Sequence, residues 1–298
     1  MKKITFNKQK DFISIIAPAS SCPDAQDRLA KSIEMLNLQG FKTLADDKML
    51  AGDELPFFAA PKAERLRMFK EAMENEQVKI IWAFRGGYGC SEIVEDCFNI
   101  EKKGDKILIG YSDITALHLL LNGHYDIPTI HGSVLTSFLP PVNQDINSIL
   151  NVLKGEDSKI ALSPINKIND NPIEGKILGG NLTVFSKLIG TSVNLKTNNI
   201  LLLEDVNEKG YAIHRNLVQL KNAGIFDGIE AIIFGDFTSG DENIELAIKS
   251  FCLNHIPNIE TYRADGIGHG AVNQPVIMNH EVVISGNYLS FSSPFEMM

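Results

Sequence analysis

The strongest constraint on the fold is the alternation of short apolar runs with amphipathic stretches through the first half of the chain. Ile13-Ser14-Ile15-Ile16-Ala17 is an apolar run that stops at Pro18. After Ser21 and Pro23, Leu29, Ile33 and Leu36 recur at helical spacing, and Gly40 closes that pattern. Phe41 to Ala45 reads as a second strand, and Pro61 opens a helix carrying Leu66, Phe69 and Met73 on one face. Lys79 to Phe84, Lys106 to Gly110 and Thr129 to Val134 read as three further strands. Strands separated by helices of this length imply parallel βαβ units with right-handed crossovers. The expected architecture is α/β, with a doubly wound, Rossmann-like parallel sheet.

The pattern loosens after Leu139-Pro140-Pro141. A polar helix over 145–154 leads into Gly155-Glu156-Asp157-Ser158 and then an Asn-, Asp- and Pro-rich stretch over 166–172. The reading is an N-terminal domain over 1–155, a linker over 156–171 and a second domain over 172–298. The second half mixes short strands (200–203, 231–234) with helices near 182–189, 211–223 and 245–255. It ends in a hairpin over 282–289 whose Gly286-Asn287 pair suits a two-residue turn.

Composition narrows the function. The 298 residues carry 37 acidic and 28 basic side chains, a formal charge of −9. No clustered basic stretch offers itself to nucleic acid, and no apolar run approaches the ~18 residues of a membrane span. The N-terminal lysines are not followed by an apolar segment, so no signal peptide is read there. Cys22, Cys90, Cys97 and Cys252 are scattered without a CxxC pair, which speaks against a disulfide framework or a zinc site. The expectation is a cytoplasmic enzyme or small-ligand binder without a metal.

Ligands of a parallel sheet gather at the carboxyl ends of its strands, and two loops there carry candidate chemistry. Arg85-Gly86-Gly87-Tyr88-Gly89-Cys90 follows the third strand. Its glycines permit positive φ and close backbone approach, and its N–H groups suit an anion or oxyanion. The same residues also make an ordinary tight turn, and neither a dinucleotide fingerprint nor a P-loop is present. Gly110-Tyr111-Ser112-Asp113 places a serine between strand and helix, the geometry of a nucleophile elbow, although Ile114 replaces the usual second glycine and Ser112 or Asp113 as a plain helix cap is the commoner use of such residues. In the second half, Glu204 and Asp205 end the apolar strand Leu201-Leu202-Leu203, and His269 stands on the glycine-flanked loop Gly268-His269-Gly270. His131, at a strand end, is a weaker candidate. Cys90, in the first turn of a helix, is a competing nucleophile. The order Ser, Glu, His permits a hydrolase triad without establishing one.

Taken together, Ile16-Ala17-Pro18-Ala19-Ser20, Arg85-Gly86-Gly87-Tyr88-Gly89, Gly110-Tyr111-Ser112-Asp113, Gly179-Gly180-Asn181-Leu182, Leu203-Glu204-Asp205 and Gly268-His269 resemble the LD-carboxypeptidase family of serine peptidases. That family includes muramoyl-tetrapeptide carboxypeptidases and microcin C immunity peptidases. The resemblance implies a Rossmann-like N-terminal domain, a smaller β-rich α+β C-terminal domain and an active site between them. It implies Ser112 as nucleophile, His269 as general base and Glu204 as the carboxylate orienting it. The N–H groups of Asp113 and of Gly86 or Gly87 would form the oxyanion hole, with Arg85 and Tyr88 toward substrate. No cofactor is implied. The implied substrate is a cytoplasmic murein tetrapeptide losing a terminal D-alanine during cell-wall recycling, handled by a homodimer with neither nucleic acid nor membrane as partner. An aminoacyl- or peptidyl-nucleotide amide is the alternative substrate, and a non-catalytic anion-binding module the alternative class. Two stretches depart from the family pattern: Tyr211-Ala212-Ile213-His214-Arg215 lacks an arginine and an acid, and Val276-Ile277-Met278-Asn279 stands where a Leu-Pro-x-Gly turn is expected.

Overall fold

The computed structural model describes residues 3–195 and 199–298. Two sheets dominate it. The first has six strands, and the five supplied by the N-terminal half are parallel: Phe12–Ile16, Lys42–Leu44, Val78–Ala83, Ile107–Gly110 and Thr129–His131. In space they run second, first, third, fourth, fifth. The order therefore reverses between Phe12–Ile16 and Val78–Ala83, which makes the crevice beyond those two strands the topological switch point. The central strands are buried on both faces, with Ile80, Ile81, Trp82, Ile107, Leu108 and Ile109 all fully inaccessible. That is why they read as continuous apolar runs rather than alternating ones. Each such side chain stabilises the fold by about 1.5–3 kcal/mol on burial.

The second sheet has eight strands. Ile173–Asn181, Ile200–Val206, Ala231–Thr238 and Glu260–Arg263 form a parallel centre, and antiparallel strands flank it on both sides. The expected hairpin is present: Glu281–Ser285 pairs antiparallel with Tyr288–Phe291, with Ser285 opposite Tyr288 and Gly286 at φ 58°.

Three features differ from the sequence reading. The stretch 156–171 is not a free linker along its length, because Ser158–Ala161 and Ser163–Asn166 become the two edge strands of the second sheet. Polar edge strands carry little apolar signal, so composition alone reads them as loop. The chain also returns to the first sheet near its end. Val276–Met278 pairs antiparallel with Thr129–His131, placing Val276 opposite His131. Where a glycine-ended turn was expected, that strand is followed by Asn279 at φ 55°, a left-handed position that asparagine tolerates better than most residues. Finally, Ile4–Phe6 pairs in parallel with Phe295–Met297, away from both large sheets.

Candidate active site

The glycine loop is built by what surrounds it. A Cβ on Gly87 would stand 2.3 Å from Ser20 Oγ, and one on Gly89 would stand 2.9 Å from the Pro18 carbonyl. Tyr88 N–H donates to Ser20 Oγ at 3.0 Å, and Ser20 N–H donates to the Gly86 carbonyl at 3.2 Å. The Pro18-Ala19-Ser20 segment and the glycine loop thus hold each other at the switch point. Arg65, fully buried, fastens the pair: its Nε donates to the Ala60 carbonyl, its Nη1 to Pro18 and Gly89, and its Nη2 meets the Glu92 carboxylate. Nothing in the sequence hints at this, since Arg65 shares its helix with the partly exposed Arg67 and surface and buried arginines look alike in a sequence. The N–H groups of Gly86 and Gly87 have no acceptor among the described residues.

Ser112 has φ 64°, the left-handed region that non-glycine residues enter only when the surrounding structure enforces it. A simple helix cap requires no such strain, whereas an elbow that lifts a hydroxyl off a strand end does. The turn is close-fitted. A Cβ on Gly86 would lie 2.8 Å from Ser112 Cβ, and one on Gly110 would lie 2.9 Å from Ile114. The following residue, Asp113, is buried and takes the Cys90 N–H on Oδ2 at 2.8 Å, joining elbow and glycine loop. Burial raises the Asp113 carboxyl to about 6.

Glu204 and His269 come together from distant loops. His269 Nδ1 lies 2.6 Å from Glu204 Oε2, and the carboxylate is wholly inaccessible. The approach depends on backbone. A Cβ on Gly268, at φ 115°, would sit 2.6 Å from Glu204 Oε2, and one on Gly235 would sit 3.3 Å from Glu204 Cβ. Strand register shifts beside the acid: Leu203 opposes Phe234, but Asp205 opposes Phe237. Such irregularities re-aim side chains at sites. Burial by itself would raise the Glu204 carboxyl, but the His269 and His131 imidazoles outweigh it and bring it to about 2. Burial would likewise lower His269, but Glu204, with Asp205 and Asp236 behind it, holds that imidazole above its ordinary value. Asp205 turns the other way, to Asn181 Nδ2 at 2.9 Å and Thr183. Asn181 in turn caps the helix Leu182–Lys187, and its N–H meets Thr115 Oγ1 at 2.9 Å. The Gly179-Gly180-Asn181 run therefore docks the second sheet against the helix that follows Ser112.

Ser112, His269, Arg85, Gly86 and Gly87 line one cleft of about 800 Å³, shared with Tyr111, Arg28 and Val206. Tyr111 packs its ring 4.6 Å from that of His269. Arg28 forms part of the wall, with both terminal nitrogens on the Pro140 carbonyl at 2.7 and 2.6 Å. Arg85 is half-buried and makes no ion pair or hydrogen bond among the described residues. Tyr88 is not brought to the cleft lining. It is half-exposed and stacks on Phe58 with ring centroids 5.5 Å apart. Cys90 is removed as a rival nucleophile: it is fully buried, and burial beside the Asp113 carboxylate pushes its thiol well above the ordinary range. Ala212 and His214, where the family pattern was broken, also lie outside the cleft lining. His131, rated a weak candidate, lies fully buried with Nε2 3.8 Å from Glu204 Oε1.

A carboxylate-oriented imidazole, a strained serine and unengaged backbone donors around one cleft can perform acyl transfer. Comparison with known proteins places the chain in a carboxypeptidase family. Residues 13–132 match the LD-carboxypeptidase N-terminal domain and residues 174–284 the LD-carboxypeptidase C-terminal domain. The chain belongs to the LD-carboxypeptidase family. It is 35% identical over 276 residues to a Rickettsia conorii protein that bears the name carboxypeptidase, covering 90% of this chain and 85% of that one. It is 28% identical over 294 residues to the murein tetrapeptide carboxypeptidase of Pseudomonas aeruginosa, covering 93% and 94%. The crystal structure of muramoyltetrapeptide carboxypeptidase from Oxalobacter formigenes shares the fold, with a TM-score of 0.77 at 24% identity, covering 93% of this chain and 97% of that one.

Proposed function

We propose that this protein is a serine-type carboxypeptidase that cleaves the amide between an L-configured centre and the terminal D-alanine of a murein tetrapeptide in the cytoplasm. The observation that carries this reading is Ser112 held at φ 64° in the same cleft as His269, whose Nδ1 is engaged by a buried Glu204. With Nδ1 committed to Glu204, Nε2 is the nitrogen left to take the serine proton. Oγ then attacks the scissile carbonyl, and the oxyanion meets the N–H of Asp113 and of Gly86 or Gly87. One preorganised donor of that kind is worth ~3 kcal/mol in the transition state. His269 returns the proton to the leaving amine, and water, activated the same way, hydrolyses the acyl-enzyme. Arg85, an unengaged cation on the cleft wall, suits the terminal carboxylate.

The nucleotide-amide alternative is less well supported. Trp82, the single tryptophan, is fully buried with its indole N–H on the Ser133 carbonyl, so it offers no face to a nucleobase. Incubation with a murein tetrapeptide, read by mass spectrometry, should show loss of one alanine. Ser112→Ala should lose at least ~10³-fold in kcat, and the C-terminal amide of the same peptide should be a poor substrate. Turnover of an aminoacyl-nucleotide amide with none on the tetrapeptide would overturn the substrate assignment.

A further inference from the structure

We infer that His131 is a positioning residue that holds the second oxygen of Glu204, extending the serine–histidine–glutamate arrangement by one buried imidazole. The inference rests on the proposed function and deepens it. Glu204 Oε2 is taken by His269 Nδ1 at 2.6 Å, whereas Oε1 is buried and has no hydrogen-bond partner among the described residues. The donor group facing it is His131 Nε2, at 3.8 Å. Both nitrogens of His131 are likewise buried and unpartnered among the described residues. Two such groups, each at 0% exposure, cannot be served by bulk water, and a polar pair left unmade in that setting is costly.

The surroundings fix the imidazole. His131 ends the strand Thr129–His131, beside Gly110 on one side and Val276 on the other. The Tyr111 ring meets it edge-on at 6.2 Å, and His118 lies 6.3 Å away. His118 is itself held, Nε2 to the Gly110 carbonyl at 2.9 Å and Nδ1 to Thr129 Oγ1 at 2.8 Å, so the ring that backs His131 does not move freely. Catalytic hydrogen bonds are often long in the unliganded state and tighten with substrate. A closure of under ~1 Å would give Oε1 its donor. With both oxygens held, the carboxylate cannot rotate off His269 as the imidazolium forms.

The test compares His131→Leu with His131→Gln, whose amide N–H can reach where Nε2 stands. The Leu variant should lose about 10- to 100-fold in kcat with KM within about twofold. Its His269 imidazole, followed by NMR titration, should move to higher pH, because an unshared Glu204 charge favours the imidazolium. The Gln variant should bring both back toward wild type. A folded Leu variant with unchanged kcat and unchanged His269 titration overturns the inference, as does failure of Gln to rescue. Should neither variant fold, the tautomer of His131 in the wild-type protein decides: Nε2–H supports the role and an Nδ1–H tautomer overturns it. The NMR measurements need no substrate, so absence of turnover on the tetrapeptide would count against the proposed function alone.

Discussion

At the scale of single residues, the site turns on charge held out of water. In the proposed mechanism His269 must be neutral to take the Ser112 proton, and its pKa is raised once Glu204 outweighs burial. A raised pKa keeps the imidazole protonated to higher pH, so kcat/KM should climb through an acid limb lying above the ~6.5 of a free imidazole. A pH–rate profile on the tetrapeptide checks this, and a limb at pH 5 would contradict it. A second expectation separates the thiols. Cys90, Cys97 and Cys252 are buried, whereas Cys22 is half-buried and lines the cleft. A bulky alkylating agent should label Cys22 first under native conditions and slow turnover by obstruction, and Cys22→Ala should be resistant. Peptide mapping that finds label on Cys90 in the folded protein would refute the assignment. The sequence marked Ser112, Glu204 and His269 by their glycine-rich or strand-end settings. It marked His131 only weakly, as a strand end, and Arg65 not at all, because Glu204 lies 73 residues from His131 and the Arg65 partners other than Ala60 lie 24 or more residues away.

At the scale of elements, loops are held by backbone approach rather than by side-chain bulk. Gly268 is the sharpest case, being at φ 115° with a would-be Cβ 2.6 Å from the Glu204 carboxylate. Gly268→Ala should therefore displace either the loop or the acid, lowering kcat by about 10²-fold and stability by ~1–3 kcal/mol. Thermal melting alongside kinetics measures both, and a variant with wild-type kcat would show that the loop has slack. The helices and strands of the first half were legible because two-sided burial and helical spacing write themselves into apolar order. The edge strands within 158–166 were not, because an edge strand is defined by its hydrogen-bonding neighbour and its own residues stay polar.

At the scale of the whole molecule, the two halves are interlocked rather than strung together. Val276–Met278 completes the first sheet against Thr129–His131, and Asn279 Nδ2 reaches Asp126 at 2.9 Å. A fragment of residues 1–155 would expose that strand edge together with the apolar surface the second half covers, both hazards for solubility. Circular dichroism and gel filtration of the fragment should find it aggregated or poorly folded, and a cooperative monomeric unfolding transition would show that the boundary is clean. The sequence by itself determined the α/β class, the parallel sheet and the glycine loops, and through a family resemblance it offered Ser112, Glu204 and His269 as candidates. The first three follow from local periodicity and from residue types that few backbones need. Only the tertiary structure decided that Glu204 reaches His269 and faces His131, that Cys90 is sealed away and that Tyr88 points elsewhere. Those outcomes depend on which surfaces exclude water together, a property of strand order and register between segments far apart in the chain.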